Sequence, residues 1–157
     1  MGPQADRFCA FMEEYAGFMG EMAAQEDKKY SALISNDLER MDKAIADQQS
    51  MLMRLEKLER RRAEVQKAAG WEGLTFSRIL EQMGEDPRRK DLEEIFTRIG
   101  RMLEQIRYSN EKSMSFARMN LQISSMLAPE EGQTYDAGRE KSQRDEAASG
   151  MVFETKV

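Results

Sequence analysis

The stretch from Asp86 to Pro129 constrains this chain more than any other. Asp86-Pro87 pairs a side-chain acceptor with a ring that suits the first helical turn. From there apolar residues recur at alternating steps of three and four: Leu92, Ile95, Ile99, Met102, Ile106, Phe116, Ile123 and Leu127. Gly100 is the one glycine in the run, and it weakens a helix by roughly 1 kcal/mol without ending it. Pro129 follows the last apolar pair, as expected just past a helix end. The pattern predicts a helix from Pro87 to Leu127, on the order of 60 Å long. A rod of that length needs partners for its stripe.

The N-terminal half supplies them. Phe8, Phe11, Tyr15, Phe18 and Met22, widened by Met12 and Met19, predict a first helix from about Gln4 to Ser35. Gly17 and Gly20 weaken it locally, so it is expected to be less stable than the last helix. Gln25 to Lys29 is wholly polar before the stripe resumes at Tyr30 and Leu33. Ser35-Asn36-Asp37 is a cluster of capping residues. A second helix is therefore expected from Asp37 to about Ala69, carrying Leu38, Met41, Ile45, Leu52, Leu55, Leu58 and Val65. Gln48 takes one stripe position, and near Glu59 and Arg62 the stripe loses its apolar character, so pairing there is expected to be loose. Spacing is consistent with a hairpin of these two helices or with one kinked rod.

Gly70 reads as the residue just past the second helix. Trp71, Leu74, Phe76, Ile79, Leu80 and Met83 are too apolar for a free loop. They predict a short helix capped by Thr75 or Ser77, covering one end of a bundle or lining a hydrophobic pocket for a client. On the last helix the stripe passes through Ser109 or Asn110, Ser113 and Asn120. Buried polar groups there need partners and fix register; alternatively this half waits for another chain. From Glu130 onward three glycines and mixed charge favour a disordered tail, with Thr134-Tyr135-Asp136 and Met151-Val152-Phe153 as isolated hydrophobic points that fit short docking motifs or plain solvation alike. The expected organisation is a helical domain, 1–129, and a tail, 130–157.

Composition bounds the chemistry. A net charge of -5 argues against nucleic acid as a partner, and Arg60-Arg61-Arg62 reads as a solvated helix face. Carboxylates beside Lys and Arg, as in Glu56-Lys57 and Glu59-Arg60, read as solvated ion pairs of small energetic value. No apolar run approaches the roughly 20 residues that membrane insertion needs. The N-terminus resembles neither a signal peptide nor a myristoylation site, Asp6 standing where Ser or Thr is wanted. With no histidine and a single cysteine, Cys9, neither a Cys–His pair nor the commonest zinc ligand is available. No glycine-rich phosphate loop occurs. The expectation is a cytoplasmic, non-enzymatic, all-α protein: an elongated antiparallel bundle or coiled coil of three long helices, with no catalytic residue, metal or cofactor. Thirteen methionines suit adaptable cores and adaptable binding surfaces alike.

These features together resemble the FlgN family of flagellar export chaperones. The resemblance rests on Leu38-Glu39, on Leu55-Glu56-x-Leu58-Glu59-x-Arg61, and on a long last helix bearing Asn110. It extends to Gly132-Gln133-Thr134-Tyr135-Asp136-x-Gly138 and the terminus Phe153-Glu154-Thr155-Lys156-Val157. Ser113 stands where members commonly repeat Asn. The resemblance implies a type III export chaperone that binds the C-terminal segments of the junction proteins FlgK and FlgL and delivers them to the gate protein FlhA. It implies client contacts on the last helix, at Asn110, Met114, Phe116, Met119, Asn120, Ile123, Met126 and Leu127, and gate docking at Tyr135. A FliT- or FliS-like chaperone with another client, and a coiled-coil adaptor, are the rival readings.

Overall fold

The computed structural model describes residues 2–127. Tyr135 and the expected tail, 130–157, lie outside the described residues. Four helices follow in order: α1 (Pro3–Ser35), α2 (Leu38–Ala68), α3 (Phe76–Met83) and α4 (Arg89–Leu127), with no strand among the described residues. The chain is all-α, a bundle of three long helices with a short one before the last.

Local chemistry sets the helix ends. Pro3 opens α1 behind Gly2. Asn36 ends it in the left-handed region at φ 60°, where Asn is tolerated better than most residues. Asp37 caps α2, its Oδ1 accepting from the N–H groups of Glu39 and Arg40. At the other end Gly70, at φ 85°, lets Trp71 N–H reach Gln66 C=O and Gly70 N–H reach Lys67 C=O, the paired bonds of a Schellman motif. Thr75, rather than Ser77, caps α3. The last helix begins at Arg89, two residues later than Pro87. A turn intervenes, in which Asp86 Oδ1 accepts from Arg88 N–H and Asp86 C=O from Arg89 N–H. Gly100 is passed without a break.

Contacts between helices resolve the choice between hairpin and rod. Tyr15 donates to Glu59, Arg54 to Glu21 and Gln48 to Glu26. Positions rise along α1 as they fall along α2, so the two form an antiparallel hairpin. Arg88 meets Asp6, Arg98 meets Glu13, and Ser109 meets Asp27. Here both numbers rise together, so α4 runs parallel to α1. Both neighbours pack along α1, and α2 and α4 share no extended seam.

The central helix is thus α1, despite its glycines. It buries Phe8, Met12 and Met19 almost completely, and burial of such side chains contributes about 1.5–3 kcal/mol each. At its N-terminal end the Phe8 ring meets Trp71 edge-on at 5.3 Å and Phe96 at 6.4 Å, and Phe76 stacks on Phe96 at 4.0 Å. The segment before α4 therefore covers one end of the bundle. Tertiary burial outweighs the local helix propensity that favoured α4.

The expectation of loose pairing near Glu59 is corrected. Leu55 and Gln66 are buried there. Polar groups close the seam by binding one another: Arg62 donates to Glu59 and Gln66, and Gln66 Nε2 donates to the carbonyls of Trp71 and Leu74. Burial and the neighbouring Glu59 charge push the Tyr15 hydroxyl well above its ordinary pKa, so it stays a donor. Neither Arg62 nor Glu59 belongs to a solvated face, unlike Arg60, which pairs with Glu56 in the open. The looser half of α2 is its start, where Leu38 is 75% exposed and Ile45 and Met53 are also exposed.

Phe8→Ala is expected to cost about 3–5 kcal/mol by leaving a cavity between its two aromatic neighbours, Trp71 and Phe96; urea unfolding showing a loss below 1 kcal/mol would contradict this core. A second outcome concerns acid. Hydrogen bonds from the Arg88 side chain and backbone hold the Asp86 carboxyl at about 2. That is below the ordinary aspartate value of about 3.9, so its contribution is whole above pH ~4 and fades as the pH falls toward 2. Asp86→Asn is expected to flatten that part of the stability profile while lowering stability at pH 7.

Candidate functional site

Two different environments divide the last helix. The first is a buried polar layer at the level of the wholly polar stretch of α1. Gln25, Glu26 and Lys29 are buried together with Ser109 and Ser113. Lys29 Nζ donates to Asn110 Oδ1 at 2.9 Å and lies 2.6 Å from Glu26 Oε2, an ion-pair contact outside hydrogen-bonding geometry. Glu26 Oε1 also accepts from Gln48 Nε2 at 3.3 Å. Ser109 donates to Asp27 at 2.7 Å, while Ser113 Oγ has no partner. One layer thus joins all three long helices. A buried ion pair adds little net stability, yet removing one partner costs several kcal/mol, so the layer acts on register more than on stability.

The second environment begins beyond it. Phe116 is the last α4 residue with a ring contact to α1, meeting Tyr30 edge-on at 6.5 Å. α1 ends little more than a turn later, and every residue of α4 from Arg118 to Leu127 is exposed. At about 1.5 Å per residue this leaves roughly 15 Å of helix standing beyond the bundle. Met119 is 56% exposed, Ile123 49%, Met126 84% and Leu127 80%.

The side on which those residues lie is informative. At about 100° per residue, Phe116, Met119, Ile123, Met126 and Leu127 fall within roughly a third of the circumference. The centre of that arc is turned by about a third of a turn from the centre of the face that carries Leu92, Ile99, Ile106 and Ser113 against α1. The bundle-facing side continues through Ala117, Asn120, Leu121 and Ser124, of which only Leu121 is a large apolar residue, itself exposed. The exposed stripe thus lies mainly to one side of the α1 seam and joins it at Phe116, which meets Tyr30.

The eight client residues expected from the sequence are accordingly split. Asn110 pairs with Lys29 and donates to Met114 Sδ at 3.6 Å. Met114 is half-buried on the side of α4 opposite the stripe, and Phe116 sits half-buried at its root. Met119, Asn120, Ile123, Met126 and Leu127 are brought together on the projecting turns. The polar positions are split as well: Ser109, Asn110 and Ser113 are packed internally, whereas Asn120, on the same side of α4 but past the end of α1, is exposed.

Several neighbours of this end were not singled out from the sequence. Ile34, one turn past Tyr30, is half exposed, and Leu38 beyond the α1–α2 turn is bare. Lys112 lies over both the Tyr30 and Tyr108 rings, 4.5 and 5.0 Å from their centres. Ile34 falls off the α1 stripe, which was a readable sign of exposure, whereas Leu38 sits on the α2 stripe and gave the opposite sign.

The rest of the molecule offers less. A shallow cleft of about 270 Å³ between α3 and α4 is lined by Phe76, Leu80, Phe96, Gly100 and Leu103 among others, at the small end for ligand sites. Trp71, Phe76, Ile79 and Met83 turn inward, so their apolar character serves the bundle end. Burial raises the Cys9 thiol pKa, which disfavours the nucleophilic thiolate. No group of acidic, Cys or His side chains suited to a metal occurs among the described residues, and no described helix is long and apolar enough to cross a membrane.

Because the projecting turns contribute nothing to the core, Ile123→Ser is expected to change unfolding free energy by less than about 0.5 kcal/mol. A loss above 1.5 kcal/mol in urea would mean that this side chain is packed in the free protein.

No protein of curated function and no solved structure matches the chain. A family model, described as FlgN protein, matches residues 1–139. A match over that much of the sequence establishes that the chain belongs to the FlgN family of flagellar export chaperones.

Proposed function

We propose that this protein is a cytoplasmic, non-enzymatic chaperone that binds the C-terminal segments of FlgK and FlgL and delivers them to FlhA. Residues 1–129 form the chaperone domain, and Tyr135 in the segment 130–157 docks to the gate. The single observation carrying the client part of this reading is the exposed stripe of Met119, Ile123, Met126 and Leu127, on turns that project past the end of α1. An amphipathic client helix laid along it would bury its own apolar face, as in other helix-in-groove complexes. Thioethers at two of the four positions give a surface that can adapt to two related clients.

Magnitudes define how large the contact is. Full burial of an apolar side chain contributes about 1.5–3 kcal/mol. Sub-micromolar affinity needs roughly 8 kcal/mol net, after an association cost of about 4–15 kcal/mol. The stripe with Phe116 falls short of that sum alone. The client therefore also covers the flank at the same end, where Ile34 and Leu38 are exposed.

Calorimetry of the full chain against the FlgK and FlgL segments, with flagellin as control, tests the reading. Sub-micromolar, equimolar binding to the junction segments alone is expected, weakened about tenfold or more by Ile123→Ser and several-fold by Leu38→Ser. Binding to flagellin instead would reassign the client, as in a FliS-like chaperone. Absence of binding to any of the three would favour the coiled-coil adaptor.

A further inference from the structure

We propose that Met119 and Met126 are oxidant-responsive modification sites, whose conversion to methionine sulfoxide lowers client affinity while leaving the fold intact; this rests on the client reading above. Thioether oxidation follows access to the sulfur. The described methionines fall into distinct groups. Met12, Met19, Met22 and Met83 are buried in the core, whereas Met53, Met119 and Met126 stand more than half exposed. Met53 lies on α2, away from the stripe. Met119 and Met126, seven residues apart, occupy one side of α4 and bracket Ile123, so two of the three most accessible thioethers belong to the client face.

The chemistry is a two-electron oxygen transfer. A sulfur lone pair attacks one oxygen of hydrogen peroxide, the O–O bond breaks, an S–O bond forms, and the other oxygen takes up the proton shed by the transferred oxygen and leaves as water. Sulfur is oxidised and the peroxide is reduced. The product is a polar, chiral group in place of a flexible apolar one. Against an apolar client face its oxygen would be buried without a donor, which is costly. Neither side chain packs in the bundle, so the same change costs the free protein nothing. The client surface can thus be altered by oxidation without unfolding, and reversed by methionine sulfoxide reductases.

The test treats the full chain with dilute hydrogen peroxide, maps oxidised sites by peptide mass spectrometry, and measures affinity for the FlgL segment and helicity. Met53, Met119 and Met126 are expected to oxidise ahead of Met12 and Met19, with helicity unchanged and affinity about tenfold lower. Sulfoxide reductases should restore it. A Met119→Leu/Met126→Leu chain should bind the segment and keep its affinity after the same treatment, while Met53→Leu should respond as the parent does. Retained affinity with both sites oxidised would overturn the proposal and leave the chaperone reading standing. So would an equal loss in the double leucine chain, by placing the sensitive site elsewhere. An untreated chain that binds no junction segment would overturn both.

Discussion

The burial of α1 along more than half of its circumference is the constraint on which the rest of the fold depends. Its buried positions span an arc of roughly 200° at about 100° per residue. No single partner helix covers an arc that wide, so α2 and α4 flank it from two sides. Phe8 shows the consequence. It touches a ring from the α2–α3 connection and another from α4, and through these contacts the short α3 segment becomes a cover for the same core. Arg88, bound to both Asp6 and Asp86, ties the start of α4 to the start of α1 at the same end.

Register follows from the polar layer. An apolar seam of Leu, Ile and Met can slide by a turn at modest cost, but Lys29, Glu26 and Asn110 must stay together once buried. Holding Lys29 level with Asn110 determines where α1 runs out against α4. Since α1 ends at Ser35 and α4 continues to Leu127, the excess length appears at one end only. The projecting face thus results from unequal helix lengths and a fixed register.

The helices themselves were readable because the period of three and four survives on each, and because Asp37, Gly70 and Thr75 are caps whose chemistry is local. What could not be read is what depends on a partner. Gln25, Glu26 and Lys29 look solvated until Ala44, Gln48 and Asn110 are brought beside them. Glu59 and Arg62 look like a surface pair until Tyr15 and Gln66 enclose them. Gly17 and Gly20 weaken α1 locally, yet α1 is the helix on which both neighbours pack, because it has two faces to bury. For the candidate site, the sequence groups Met119, Ile123, Met126 and Leu127 on the last helix, whose final turns project from the bundle. It could not tell them from Asn110 and Met114, because only the end of α1 separates packed turns from projecting ones.

α4 has a packed part that builds the bundle and a projecting part that, in the function proposed above, receives a client. Residue-resolved hydrogen exchange of the full chain, with and without a saturating FlgL segment, tests this most directly. In the free protein, amides of the Leu92–Ile106 region should exchange slowly and those from Arg118 to Leu127 rapidly. The client should then protect 114–127 while leaving 92–106 unchanged. Strong protection of 118–127 in the free chain, or protection by the client confined to α2 or α3, would contradict it.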